Sequence, residues 1–428
     1  MLQRKFQYGT FFFILKLWYN FDMTFAIHTL GCRVNIYESE KIKSKLLEQG
    51  LIEVPFDTKA DVYIINTCSV THTADHKSRQ MLSRARSLNK DALVFCIGCY
   101  TNNVEMNHLE KIGGIKYISN ENKEKVVDEI LNHIENKIIQ NEGPGGESKY
   151  SRYFLKIEDG CNNFCSYCLI PHLRGRVKSK SMEEITKEAR DIIEKGYKEI
   201  VLVGINLCSY GKDINSNLNE CISAICKIDG LKRLRLSSLT PSFIDENFIN
   251  TLNLPHVKDK ICNSFHLSLQ SASDRVLKNM NRTYTKKELQ NACTLLKNNF
   301  DFMTITADII VGFPGETEED FMETYNFVKE NKIYSPHVFA YSIRNGTKAA
   351  SMDGQIPEDI KKDRSKRLIE LGEKNSKAIE DSIKGTNQEV LIEQVDETSA
   401  KGYTKSYIEL KFPYKEGMKI GNIVNINA

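Results

Sequence analysis

The sequence predicts an α/β protein assembled from three segments: an open parallel α/β domain, a partial (β/α)6 barrel, and a small antiparallel β-barrel at the C-terminal end. Three observations carry that prediction. From Thr24 to about Asn141, short apolar runs alternate with charged, helix-like stretches, the rhythm of parallel strands joined by helical crossovers. After a polar, glycine-rich stretch, "QNEGPGGESK", which reads as a boundary, six more strand candidates recur with helical stretches between them up to about Ser342. Beyond the periodic charged run "IPEDIKKDRSKRLIELGEKNSKAIEDSIKG", which reads as helix, the pattern tightens into short alternating strands.

The totals suit such a chain. Its 428 residues are 41% hydrophobic and 27% charged, which excludes a disordered or fibrous protein and gives enough length for two or three domains. A formal net charge of +3 is too small to point to nucleic acid, so any such partner has to be argued from local basic clusters. Twelve cysteines without secretory architecture indicate a reducing compartment, and a cytoplasmic protein is expected. Residues 1–22 include an aromatic run broken at Lys16, shorter than the roughly 18 residues that span a bilayer and without a cleavage site. The fold is therefore expected to begin with the strand after Met23, with no membrane partner; an interfacial anchor is the other reading of the extension.

In the first segment three strand-like runs end alike. "FAIHTLGC" ends at Cys32, "DVYIINTC" at Cys68 and "ALVFCIGC" at Cys99. The carboxyl ends of parallel strands share one edge, where ligands bind, so three strands bring three thiols to one place. Cys96, inside its apolar run, reads as core.

The second segment offers the strands "RYFLKIEDG", "KEIVLVGIN", "KRLRLSSL", "SFHLSLQS", "MTITADIIVGFPG" and "SPHVFAYS". The stretch after the first holds Cys161, Cys165 and Cys168 at the spacing C-x3-C-x2-C. Gly204 and Asn206 end the second strand, Ser237 and Ser238 the third, Gln270 and Ser271 the fourth, while Asp308 and Gly312 lie in the fifth; all are expected on one rim. Three thiols lack the fourth ligand of a closed zinc site. Taken alone, the stretch fits half a zinc site or unrelated core thiols as well as an iron–sulfur cubane with one iron left open.

The third segment, with "QEVLIEQV", "GYTKSYIELKF" and "GNIVNINA", reads as a small antiparallel barrel of a kind that either binds RNA or simply packs.

Two triads in two segments favour cluster chemistry. An open iron can chelate S-adenosylmethionine and pass one electron to its sulfonium, and a second open iron can hold sulfur for insertion. Here the sequence resembles the radical S-adenosylmethionine methylthiotransferases, and within them the MtaB-type branch acting on threonylcarbamoyladenosine in tRNA. The likeness runs in order through "HTLGCRVNIYESE", "INTCSVTHTADHKSRQ", "GCNNFCSYCLIPHLRGR", "LVGINLCSYG", "HLSLQSASDRVLKNMNRTYT" and "ADIIVGFPGET".

The resemblance implies a methylthiotransferase domain over 23–141, a radical core over 147–378 and a TRAM-like domain over 380–428. It implies a radical-generating [4Fe-4S] cluster on Cys161, Cys165 and Cys168, and an auxiliary one on Cys32, Cys68 and Cys99. Gly204, Asn206, Ser238, Gln270 and Gly312 match motifs near the S-adenosylmethionine cofactor, although polar strand-end residues also serve as caps and turns. One S-adenosylmethionine methylates sulfur; a second gives the radical that removes hydrogen from carbon 2 of adenine. The implied partners are the tRNA anticodon stem-loop and an electron donor such as flavodoxin or ferredoxin, with the chain acting as a monomer.

Some positions depart from the family pattern: Ala272, Thr240, Ile343 and Asn345 replace residues usual there, and none is a cluster ligand. Phosphate contacts are expected from Arg174, Arg176, Lys178 and Lys180 and from Lys77, Arg79, Arg84 and Arg86, and a contact to the anionic threonylcarbamoyl group from Arg33. Each of these also reads as an ordinary solvated charge. Rival readings are the branches modifying isopentenyladenosine or a ribosomal-protein aspartate, and a zinc-stabilised RNA-binding protein.

Overall fold

Val62–Thr67 (β3) is the centre of the first sheet, and all six of its residues are buried. Val62 and Ile64 enter one apolar cluster while Tyr63 and Ile65 enter another, as alternation along a strand covered on both faces requires. The structure is a computed structural model describing residues 23–102, 113–137 and 151–428. The expected extension at 1–22 and the boundary stretch at 140–149 lie outside the described residues.

The chain divides into two compact units, Met1–Lys149 with His172–Arg174, and Tyr150–Pro171 with Gly175–Ala428. In the first, Thr24–Thr29 (β1), Ile52–Glu53 (β2), β3, Leu93–Gly98 (β4) and Ile115–Tyr117 (β5) form a parallel sheet in the order β2-β1-β3-β4-β5. The long strands are central and the short ones are at the edges, which limits exposed pairing groups. Helices Arg33–Glu48 (α1) and Val126–Lys137 (α2) supply Ile42, Leu46, Val126 and Ile130 to one face. Helix His72–Leu88 (α3) supplies Leu82 and Ala85 to the other, after Thr71 caps it by accepting from the Ala74 N–H at 3.1 Å.

In the second unit Tyr153–Lys156 (β6), Glu199–Val203 (β9) and Arg233–Leu236 (β10) pair in parallel, as do Ser238–Leu239 (β11), Ser264–Gln270 (β12), Thr304–Val311 (β13) and His337–Ala340 (β14). β10 and β11 are consecutive in the chain, and Leu234 bridges to Ile261 just ahead of β12, so the two sheets run on as the expected six-position partial barrel. Glu158–Asp159 (β7) and Lys178–Ser179 (β8) form a short antiparallel pair. Barrel helices Met182–Glu194, Lys286–Asn299 and Glu318–Glu330 each open with a capping box, Ser181/Glu184, Thr285/Glu288 and Thr317/Asp320. The charged helix predicted after the barrel spans Glu358–Ser382. No helix among the described residues is long and apolar enough to cross a membrane.

At the C-terminal end Asn387–Val395 (β15), Ser399–Thr404 (β16), Glu409–Pro413 (β17) and Ile423–Asn427 (β18) make an antiparallel sheet in the order β17-β16-β15-β18 around Val390, Ile392, Ala400 and Phe412. The run "GYTKSYIELKF", expected as one strand, is instead a hairpin. Tyr407 turns the chain with φ 63°, and the Tyr407 N–H bonds the Thr404 carbonyl at 3.0 Å. The turn is held from outside, because the Thr304 hydroxyl donates to the Ser406 carbonyl at 2.6 Å.

A buried charge network fastens this sheet to the barrel. Glu199, on β9 and fully buried, receives Arg235 Nε at 3.0 Å and lies 3.4 Å from Arg152 Nε and 3.5 Å from Arg233 Nη1. Those arginines reach onward: Arg233 Nε to Glu389 at 2.8 Å and Nη1 to the Tyr403 carbonyl at 3.0 Å, Arg235 Nη1 to the Lys405 carbonyl at 3.1 Å, and Arg152 to Glu393. Burial alone would raise the Glu199 carboxyl; the charges of Arg235, Arg152 and Arg233 outweigh it and hold the group at about 2.

Candidate functional site

Each unit carries one thiol triad at the carboxyl ends of parallel strands. In the first unit Cys32 is the N-cap of α1, Cys68 follows β3, and Cys99 follows β4, so the three thiols issue from the neighbouring strands β1, β3 and β4. Cys99 and Cys32 both act on Cys68 as charge neighbours. A Cβ on Gly31 would lie 2.7 Å from Cys68 Cβ, and the φ of 97° at Gly31 is one that favours glycine, so the turn into the helix presses against the thiol. Cys32 Sγ points at Asn35 Oδ1, 3.8 Å away, and Asn35 Nδ2 holds the carbonyls of Leu30 and Thr67 at 2.6 and 3.0 Å.

Arg174 belongs to this site. Its guanidinium is buried, with Nε 3.3 Å from Cys99 Sγ, Nη2 2.6 Å from Asn35 Oδ1 and Nη1 3.3 Å from Glu38 Oε1. Glu38 also pairs with Lys123 at 2.6 Å. The expectation of Arg174 as a phosphate contact is thereby corrected: it is an internal cation beside a thiol.

In the second unit the cysteine loop leaves the β7–β8 pair. Its base is closed, because the Cys161 N–H bonds the Gly175 carbonyl at 3.1 Å and a Cβ on Gly160 would lie 2.1 Å from the Arg176 carbonyl oxygen. Its middle is pinned by Ser166, whose hydroxyl and N–H reach the carbonyls of Asn279 and Met280 at 2.8 and 3.0 Å. Donors converge on the sulfurs. Cys165 Sγ takes Arg282 Nη1 at 3.1 Å, Cys168 the Ile170 N–H at 3.4 Å, and Cys161 the Asn163 N–H at 3.5 Å, with Asn206 Nδ2 at 3.9 Å.

Burial pushes the thiols of Cys68 and Cys168 up to about 12 and raises Cys161 and Cys99 as well. The core thiol of Cys96, fully buried inside β4, is also pushed up to about 12, so position rather than acidity separates it from Cys99. Loading a cluster needs thiolates, and the N–H and guanidinium donors are arranged to stabilise that charge. Three thiols with such donors at each place fit a cubane held by three thiolates.

The remaining expected residues fall into different settings. Gly204 lies against Glu158: any Cβ there would be 2.4 Å from Glu158 Oε2, which accepts from the Asn206 N–H at 3.0 Å. Burial raises Glu158 to about 8. Asn206 thus joins the second triad directly, and Gly204 joins through Glu158. Ser238 bonds Ser268 across the strands at 2.7 Å, and Gln270 ends β12 buried with φ 60°. Gly312 is committed to the scaffold, its N–H on Glu316 Oε1 at 2.9 Å and its Cα so close to Lys361 that a Cβ would meet Cγ at 2.4 Å.

Among the basic residues, Arg79 reaches the Tyr100 hydroxyl at 3.3 Å, Arg84 pairs with Asp57 at 2.8 Å and Arg86 holds the Ala92 carbonyl at 3.3 Å, while Lys77 is exposed. Arg176 stacks over Phe164 at 4.3 Å, Lys178 is exposed and Lys180 pairs with Glu188 at 2.9 Å. Arg33 opens α1 beside Cys32, half-buried. Sequence reasoning missed Glu158 and Arg282. Glu158 directly precedes the cysteine loop in "IEDGC", a usable signal; Arg282 is 117 residues from Cys165, and nothing local announces their contact.

Residues 155–328, which hold the second triad, match the radical SAM superfamily, and residues 24–120, which hold the first, match the uncharacterized protein family UPF0004. Over 423 residues the chain is 38% identical to threonylcarbamoyladenosine tRNA methylthiotransferase MtaB of Bacillus subtilis, covering 94% of this chain and 93% of that one. It is 36% identical to the protein of the same name from Aquifex aeolicus, covering 94% and 100%. It is 34% identical to tRNA-2-methylthio-N(6)-dimethylallyladenosine synthase of Acetivibrio thermocellus, covering 94% and 88%. Among solved structures it shares its fold with the radical S-adenosylmethionine methyltransferase TsrM of Kitasatospora setae, at a TM-score of 0.57, 12% identity and 77% coverage of both chains.

Proposed function

The chain belongs to the radical S-adenosylmethionine tRNA methylthiotransferases, and from that premise we propose that it converts N6-threonylcarbamoyladenosine at position 37 of tRNA, 3′ of the anticodon, to the 2-methylthio derivative. The observation that carries the reading is the pair of three-thiol sites, one in each unit, each with an arginine donor aimed at one of its sulfurs. Cys161, Cys165 and Cys168 would hold the radical-generating [4Fe-4S] cluster, and Cys32, Cys68 and Cys99 the auxiliary one. Bound there, the first supplies the low-potential electron that cleaves S-adenosylmethionine and the second supplies sulfur.

The chain's own residues set the conditions for that chemistry. Arg282 places a fixed positive charge 3.1 Å from Cys165 and Arg174 one 3.3 Å from Cys99, so each triad has a cation in place to offset the thiolate charge that a bound cluster would bring. Glu158 holds the backbone of Asn206 in place, and Asn206 Nδ2 is divided between Ser209 Oγ at 2.7 Å and Cys161 Sγ. Gln270 and Ser238, with Asn206, would line the S-adenosylmethionine site. The C-terminal sheet, fastened by the Glu199 network, would engage the anticodon stem-loop in the manner of a TRAM domain.

Relatives of both names, threonylcarbamoyl and dimethylallyl, match the chain at 34–38% identity, so the branch is what the experiment must resolve. Reduced, cluster-loaded enzyme with S-adenosylmethionine is expected to add a methylthio group to tRNA bearing threonylcarbamoyladenosine, read by mass spectrometry of the nucleosides. Parallel reactions with isopentenylated tRNA and with the ribosomal protein are expected to stay blank. Modification of the isopentenylated tRNA alone would move the enzyme to the sister branch, and no modification of either tRNA would overturn the tRNA reading.

A further inference from the structure

Beside the proposed cofactor residues, the barrel gathers a donor set that neither triad uses. His266 on β12, Asp308 on β13 and His337 on β14 come from three neighbouring strands, with Asp308 and His337 in direct register and His266 paired with Thr306, two residues before Asp308. Phe265, Leu267, Ile309 and Val311 fill the main apolar core on the helix-packed side of these strands. His266 and Asp308 alternate with them and so project from the other face. Ser268, next along that face, is the residue bonded to Ser238.

Two of the spacings match those of a metal site. His266 Nε2 is 3.2 Å and His337 Nδ1 3.3 Å from the same oxygen, Asp308 Oδ1, and all three ligand atoms lie within 4.8 Å of one another. A tetrahedral zinc ion with nitrogen and oxygen ligands at about 2.0–2.1 Å sets those ligands about 3.3–3.4 Å apart. The second ring nitrogen of His266 has its own partner, Thr306 Oγ1 at 2.7 Å, as a metal-bound imidazole needs to fix its tautomer. The histidine rings lie 5.0 Å apart and tilted by 39°. The two other side chains are partly buried, whereas His337 is 57% exposed and gives an ion a way in.

We propose that His266, Asp308 and His337 bind one divalent cation of the zinc class, leaving a coordination position open on the barrel face that carries Ser268. Two imidazoles and one carboxylate are a borderline donor set, suited to zinc or a late first-row metal and distinct from the all-sulfur ligation of the triads. The site stands independently of the tRNA substrate, because it rests on these side chains alone.

Anaerobic, cluster-loaded protein is mixed with one equivalent of Zn2+, passed through gel filtration and analysed for metals and by zinc-edge X-ray absorption. The expected result is one zinc per chain above an unchanged iron content, with nitrogen and oxygen but no sulfur in its first shell. Outer partners alone commonly change metal affinity by about 10–100-fold, so removing a direct ligand is expected to weaken zinc by at least about 100-fold. Asp308→Asn tests the central ligand. His337→Phe tests the exposed one, where the fold is least at risk, and retained iron shows that the variant is intact. Failure to retain zinc, sulfur in its shell, or unchanged affinity in His337→Phe would each overturn the site.

Discussion

Replacing Cys165 with Ala is expected to abolish 5′-deoxyadenosine formation and with it every product, whereas Cys68→Ala is expected to leave cofactor cleavage measurable and remove the sulfur-containing product alone. The asymmetry follows from where the thiols sit. Cys165 shares its loop with Cys161 and Cys168, next to Asn206 and the barrel strand ends. Cys68 lies in a different unit, against Gly31 and in the charge field of Cys99 and Cys32. Each variant is expected to lower iron from about eight to about four atoms per chain, since each removes a ligand from one cluster of four irons. Cys99→Ser should then behave as Cys68→Ala, while Cys96→Ser, a change inside the packed face around Tyr63, Ile65 and Val94, should keep both activities. Equal loss of cleavage in Cys165→Ala and Cys68→Ala would remove the division of labour.

Glu199→Gln is expected to destabilise the second unit by about 3–5 kcal/mol, the usual cost of removing one partner from a buried ion pair. The carboxylate is fully buried among Arg152, Arg233 and Arg235, and its loss leaves three guanidinium groups inside the protein with less opposing charge. The same carboxylate sets an acid limb. Its folded value, about 2, lies below the ordinary 4.5, so its contribution is complete above about pH 4.5 and disappears as pH falls towards 2. Urea unfolding followed by circular dichroism across that window should show a steep loss in the natural protein and a flatter profile in Glu199→Gln. A loss under about 1 kcal/mol at neutral pH would mean that the arginines find other partners, such as Glu389 and Glu393.

What could be read from the sequence was whatever a local pattern encodes. Cys32, Cys68 and Cys99 each follow an apolar run, and adjacency of β1, β3 and β4 converts that linear pattern into a cluster. The six barrel strands were legible for the same reason, each being a short run with apolar residues closed by small or polar ones. The hairpin at Lys405–Ile408 was hidden because it contains no glycine, proline or asparagine, and the contact that fixes it comes from Thr304, about a hundred residues earlier. Arg174 was misread since a basic run looks alike whether its side chains reach solvent or turn inward to Cys99 and Glu38. The meeting of His266, Asp308 and His337 depends on strand register, which no single stretch specifies.

The central claim is that the chain holds two three-thiolate clusters, one per unit, and anaerobic iron and acid-labile sulfide analysis of the reconstituted protein tests it most directly. The account predicts about eight irons and about eight sulfides per chain, a brown colour and rapid bleaching in air. About four of each, with full S-adenosylmethionine cleavage, would contradict the auxiliary site, and a colourless protein with its thiols occupied by zinc would contradict both.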